Sequence, residues 1–395
     1  MRWKISSADH RISKSKENRF MQITRHLLSL GVAASLSAVT TLAQAQSANV
    51  ALGHAVFALT NDAQSNSVNV YARNSGGTLS FLHSFDTGGR GSGGKIDPLG
   101  SQGSLVLSQD HNWLFAVNAG SGTLTVFRVL GTQLLLTDEV ATDGAEPTSV
   151  TQHGNLVYVL NAAGSSSVSG FYFTAGQLFP VKNSLQYLSA NGANPGAVAF
   201  SADGQHLLAT EKANNDVDVF EVQPNGRLSA VTVNHSAGPG AFAVAVAPNG
   251  TAIVSETGSG GNTSAVSSYG IHSNGTLTTV SASVPTDGAA NCWNAITPDG
   301  RFVYVSNSAT STISGFSIGA NGTLTALPGT VVGSNPSGST NLDIAISANG
   351  KFLYSLDSAA GAIGEFAINA NGSLTSLGTV GGLPAGSSLN GIAAN

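Results

Sequence analysis

Apolar and polar residues alternate in short runs along most of the chain beyond residue 50, and the runs are parted by Asp-Gly and Asn-Gly pairs. Residues 294–327 show the pattern most clearly. Asn294 to Thr297 leads into a Pro298-Asp299-Gly300 turn, and 301–306 alternates as a half-buried strand does. Residues 313–318 form another alternating run, which Ala320-Asn321-Gly322 turns back into 323–327. Asn-Gly and Asp-Gly between alternating runs are strong hairpin signals, because both turn residues tolerate positive φ. The spacing therefore predicts a four-stranded antiparallel unit, with strands A, B, C and D.

The unit recurs. Its C–D turn ends in a leucine at Leu79, Leu134, Leu178, Leu228, Leu277, Leu324 and Leu374, spaced 55, 44, 50, 49, 47 and 50 residues apart. B strands are predicted at 55–60, 113–118, 156–160, 206–210, 252–255, 302–306 and 352–356. C strands are predicted at 68–72, 124–128, 168–173, 217–222, 266–271, 313–318 and 363–368. Seven copies of one supersecondary unit mean a ring or a solenoid. The first copy has a B strand and no A strand before it. The last residues, Leu389-Asn390-Gly391-Ile392-Ala393, read as an A strand with no B strand after it. Pairing the two ends closes a ring and leaves no half-unit with an open edge. The expected fold is all-β, a seven-bladed β-propeller whose first blade is completed by the C-terminal strand.

Two domains are expected: residues 1–45 as an extension with a secretory signal, and 46–395 as the propeller. Arg19, Arg25 and His26 precede an apolar run at 27–42 that ends in Ala43-Gln44-Ala45, the arrangement of an export signal with a small-x-small cleavage site. The polar stretch before Met21 suggests Met21 as the start of translation. The competing reading is a membrane anchor, but a run of about 16 residues is shorter than the roughly 20 a spanning helix needs. Cleavage after Ala45 leaves no stable membrane span and predicts a periplasmic or secreted protein.

Of 16 Lys/Arg and 21 Asp/Glu, seven and two lie before residue 46, leaving nine against 19 in the propeller. This acidic balance argues against nucleic acid as a partner. The single Cys292 excludes an intramolecular disulfide. No sequence pattern calls for a metal or a cofactor, and nothing calls for more than a monomer.

In such a blade the A–B and C–D turns share one face, and the B–C and D–A connections share the other. The first set is tight; the second is long and varied. The second is therefore the expected binding face, suited to a small-molecule or carbohydrate-type ligand. Its longest loop, 86–102, places Arg90 and Lys95 among five glycines. Each B strand ends in a polar residue that begins the B–C loop: Asn61, Asn118, Asn161, Glu211, Glu256, Asn307 and Asp357. Asn and Asp there either cap the strand locally or line a site. Glu211 and Glu256, on adjacent blades, are candidates for proton transfer. His235 is the one histidine placed in a D–A loop. Catalytic candidates are thus Glu211, Glu256 and His235. Ligand-binding candidates are Arg90, Lys95, Lys212, Asn118, Asn161, Asn307 and Asp357.

Residues 50–395 resemble the lactonase-type seven-bladed propellers, which include propeller-class 6-phosphogluconolactonases and carboxymuconate lactonising enzymes. The resemblance is carried by Asn194-Pro195-Gly196-Ala197-Val198-Ala199-Phe200-Ser201-Ala202-Asp203-Gly204, by Thr210-Glu211-Lys212, by Val217-Asp218-Val219-Phe220-Glu221-Val222, and by Ile296-Thr297-Pro298-Asp299-Gly300-Arg301. It implies hydrolysis of a lactone, with Glu211 at the position of a family glutamate. Where the family carries Arg-His after the proline, this chain has Gly196 and Ala197. Two family histidine positions hold Thr148 and Ala295. Two readings follow: an exported hydrolase of a neutral or weakly charged sugar lactone, or a non-catalytic propeller serving as a binding or scaffold module.

Overall fold

The computed structural model describes residues 54–395, so the predicted export signal lies outside the described residues. The described residues contain strands and turns and no helix; accordingly, none offers an apolar helix long enough to cross a membrane. Seven antiparallel sheets follow one another around a ring. The first is assembled from both ends of the described chain. His54–Leu59 pairs with Ile392–Ala394 on one side, in the register Val56↔Ala394, Phe57↔Ala393 and Ala58↔Ile392, and with Ser67–Arg73 on the other. The third sheet departs from the simple plan. Its outer strand is split into Gln177–Pro180 and Gln186–Tyr187, both paired to Ser167–Thr174.

Burial falls from the inner strands to the rim. The B strand His206–Glu211 is buried at every position, and Phe352–Asp357 likewise. A strand covered by neighbouring blades on both faces has no solvent side, so its apolar run is nearly continuous. The outermost Leu79–Asp86 is exposed along most of its length. The core clusters lie between neighbouring blades, most between two and one among the fifth, sixth and seventh. Val56, Tyr71 and Leu79 of the first blade pack with Phe352, Tyr354 and Leu356 of the seventh and with Ile392.

A repeated polar tie joins neighbouring blades. Tyr304 donates its hydroxyl to the Gly372 carbonyl at 2.8 Å, and Tyr354 donates to Gly77 at 2.8 Å; Tyr158 makes the equivalent bond to Gly226. The Tyr354 bond crosses the junction of last and first blades. Gly77 is required there twice over. Its φ is +95°, and an added Cβ would strike the Phe352 ring.

The A strands of the fourth to seventh blades carry a register shift near their start, between Pro195 and Val198, Ala241 and Val244, Asn291 and Trp293, and Asn341 and Ile344. Such bulges bend the strand and re-aim its side chains. They lie at the loop face, where the inner strands meet the central axis.

Candidate functional site

The loop 86–102 does not stay at the rim. It runs inward and spans the mouth of the central channel. Gln102 donates its backbone N–H to the Gly196 carbonyl at 2.9 Å and receives the Asn294 N–H on Oε1 at 2.8 Å. Ser101 donates its hydroxyl to Thr148 O, and its own carbonyl accepts the Trp293 indole N–H, each at 2.8 Å. Three blades are thus bridged by two consecutive residues. The segment acts as a plug, and a pocket opens between it and the fourth and fifth blades.

That pocket has a volume of about 620 Å³. Its wall includes Asp97 and Gly100 of the plug, Asn194, Lys212 and Asn215 of the fourth blade, and Phe242 of the fifth. Lys212 lies with its ammonium 4.5 Å from the centre of the Phe242 ring and donates to the Gly100 carbonyl. Asp97 Oδ1 accepts the Gly100 N–H at 3.0 Å and the Asn390 amide at 3.2 Å; Oδ2 has no partner among the described residues. One residue, Gly100, therefore bridges a half-buried acid and a half-buried base, its N–H held by the first and its carbonyl by the second. Burial pushes the Asp97 carboxyl up to about 7, against the opposing pull of Lys212. Burial moves the Lys212 ammonium down, against the pull of Asp97. A carboxyl poised near neutrality beside a cation is suited to taking a proton from water while the cation faces developing negative charge.

Of the residues singled out from sequence, only Lys212 lines this pocket. Glu211 and Glu256 are the last residues of their B strands, not the first of the loops, and each is fully buried. Strand alternation then turns Glu211 away from Lys212. Its carboxylate accepts from Ser189 Oγ, Ala190 N and Asn214 Nδ2. Glu256 accepts from Ser236, Ser267 and Ser283 hydroxyls and from Gly238 N. Both are occupied in fastening the D–A loop above them. His235 stands on the outermost strand of its blade, paired with Asp216, with its side chain 87% exposed. Arg90 is exposed, and its backbone N–H donates to the Ser121 hydroxyl at 3.0 Å. Lys95 is exposed and outside the pocket wall. The structure does not bring Glu211, Glu256, His235 and Arg90 together.

The amides follow the same rule as the glutamates. Asn118 donates to Thr123 and Thr125 and accepts from Asn66 and Thr87. Asn161 reaches Ser169, and Asn307 reaches Thr312 and Ser314. Asp357 accepts from Asn335 and Ser355. All four are buried, so the local capping alternative describes their hydrogen bonds.

The departure at Gly196 has a steric basis. An added Cβ at Gly196 would run into the Phe242 carbonyl, so this position cannot carry any longer side chain without moving the fifth blade. Asp97 carried no motif; the only sequence hint was an unusually long D–A loop.

Several buried carboxyls share the state of Asp97. Burial pushes Asp343 and Asp357 up to about 7, and raises Asp218, which sits beside Glu211. Such groups hold protons in the folded chain that the unfolded chain releases above about pH 4. Their contribution falls as pH rises from about 4 to 7. His111, lowered by burial, works in the opposite sense below about 6.5. Asp110, Asp203 and Asp299, each lowered by turn hydrogen bonds, lose their contribution below about pH 4. Thermal melts should therefore show a higher Tm near pH 5 than near pH 8. A Tm that rises steadily from pH 5 to 8 would contradict the protonated state assigned to these buried acids.

Comparison with known proteins agrees with the architecture. The sequence matches the family described as lactonase, 7-bladed beta-propeller over residues 56–189 and 241–342. No curated protein matches the sequence. Among solved structures, a Bacteroides uniformis protein provisionally assigned as a 6-phosphogluconolactonase is similar at 21% identity and a TM-score of 0.67, over 87% of this chain and 99% of that one. The Pseudomonas aeruginosa periplasmic gluconolactonase PpgL is similar at 20% identity and a TM-score of 0.63, over 86% and 99%. At these identities the structural likeness speaks for the fold. The family match spans more than half of the sequence, and the chain belongs to the lactonase family of seven-bladed β-propellers.

Proposed function

We propose that the protein is an exported hydrolase that opens the ring of a neutral or weakly charged sugar lactone in the pocket above the plug. The observation that carries this reading is the placement of Asp97 on the N–H and Lys212 on the carbonyl of one residue, Gly100, in the wall of one pocket. In the step envisaged, Asp97 Oδ2 takes a proton from water as its oxygen attacks the lactone carbonyl carbon. The charge gathering on the carbonyl oxygen faces the Lys212 ammonium. Collapse breaks the ring C–O bond, and the ring oxygen receives the proton from Asp97, leaving a hydroxy acid. A single cation in the wall suits an unphosphorylated substrate; a phosphate group calls for clustered Arg or Lys. The test is turnover of aldonolactones by the parent protein and by Lys212→Met. The variant should lose roughly 10²–10³-fold in kcat, the cost of one oxyanion-stabilising group. Parent and variant turning over equally would remove Lys212 from the step.

Export is supported by the signal-like segment before residue 46 and by the likeness to a periplasmic protein. Sequencing the mature N-terminus of exported protein should return Gln46. Recovery of residues 27–42 in the membrane fraction would replace cleavage by anchoring. The second reading, a non-catalytic ligand-binding propeller, is favoured by Gly196, which leaves no room for the arginine the resemblance led one to expect. Saturable binding of a lactone with no turnover would establish it.

A further inference from the structure

Asp97 is held by two segments at opposite ends of the described chain. Gly100, three residues on, supplies one donor to Oδ1. The other comes from Asn390, which lies just before the strand that closes the first blade. Asn390 is fully buried, and its amide is used in both directions. Ser104 donates its hydroxyl to Asn390 Oδ1 at 2.8 Å, so Nδ2 is the end turned to Asp97. The Asn390 backbone N–H is bonded to the Leu59 carbonyl, in the blade that the C-terminal strand completes.

We propose that Asn390 is a positioning residue for Asp97: it fixes the carboxyl through Oδ1, leaves Oδ2 as the oxygen facing the pocket, and so makes the site dependent on ring closure. The positioning follows from the geometry; only its effect on turnover rests on the lactonase reading. Other groups facing Asp97 act in different senses. The Lys212 ammonium of the fourth blade favours the charged carboxylate. Asp343 of the seventh, when ionised, and the buried Cys292 of the sixth do not. The Asn390 amide adds to the favourable side, because a donor to a carboxylate stabilises its charged form.

The experiment is a carboxyl-carbon NMR titration of the full chain carrying ¹³C-labelled aspartate. The Asp97 signal is identified by its loss in Asp97→Asn. In Asn390→Ala the Asp97 midpoint should move upward by roughly half a unit to one unit, the worth of one hydrogen bond. Ser104→Ala leaves the closing strand intact but frees the amide to rotate, and should move the midpoint in the same direction. Asn395→Ala serves as the control. Its side chain holds the Ala55 N–H on the same strand, away from the pocket, so it should lower Tm with the midpoint unmoved. The acid limb of any lactone pH–rate profile should follow the NMR midpoint. A midpoint that moves in a protein with no lactone turnover would uphold the positioning and remove the lactonase reading. An unmoved midpoint in folded Asn390→Ala and Ser104→Ala would overturn the proposal.

Discussion

Asp97→Asn is expected to lower kcat for lactone opening by roughly 10²–10⁴-fold, the usual cost of losing a general base. The amide keeps the shape of the carboxyl and retains an oxygen for the Gly100 and Asn390 donors that now meet Oδ1. The fold should survive, and at pH 8 it should gain, because the substitution removes a carboxyl whose ionisation burial opposes. Activity and stability thus move in opposite directions, which separates loss of chemistry from loss of structure. Glu211→Gln should show the reverse. Glu211 accepts three hydrogen bonds in a site sealed from solvent. Replacing one of its oxygens by a donor NH₂ sets that group against at least one of those donors, costing about 1–3 kcal/mol. Turnover by the surviving folded protein should be little changed. If Glu211→Gln abolished turnover at unchanged Tm while Asp97→Asn kept it, the roles assigned to the two carboxyls would have to be exchanged.

Deletion of residues 388–395 is expected to cost several kcal/mol, a large part of the stability of a typical domain. The segment supplies Leu389, Ile392 and Ala394 to the core shared by the first and seventh blades. It pairs with His54–Leu59, and its loss exposes a long apolar strand edge, a template for aggregation. The Asn395 contacts to Ala55 and Arg73 vanish with it. Asn390 vanishes as well, so any folded remainder should bind Asp97 less tightly in place. A truncated protein melting cooperatively at the parent temperature would show that the ring does not depend on this strand.

The ring was legible because its signals are local and repeated. Each Asn-Gly or Asp-Gly turn fixes a hairpin on its own, and the displaced A-type strand after residue 388 reveals closure without any long-range information. Strand ends were less legible. The B strands expected to stop at 210, 255, 306 and 356 each run one residue further, to Glu211, Glu256, Asn307 and Asp357. A polar residue after an apolar run reads as the start of a loop. Here the neighbouring blade and the D–A loop bury it, and hydroxyls supplied from those segments replace water. The pocket was hardly legible at all. Lys212 could be placed on the correct face by its blade position. Asp97 could not, because nothing in Lys95-Ile96-Asp97-Pro98 shows that the loop turns inward. That course depends on Ser101 and Gln102 finding partners in the third, fourth and sixth blades, contacts between residues 47 to 192 positions apart in sequence.

The most direct measurement is the pH dependence of kcat/KM for glucono-1,5-lactone, with the spontaneous rate subtracted, across about pH 5 to 9, a span that includes ordinary carboxylate and imidazole values. The assignment of Asp97 as base predicts turnover that rises with pH through about 7 and then levels, as its carboxyl loses its proton. Absence of turnover at every pH in that span, or an undiminished profile in Asp97→Asn, would contradict it.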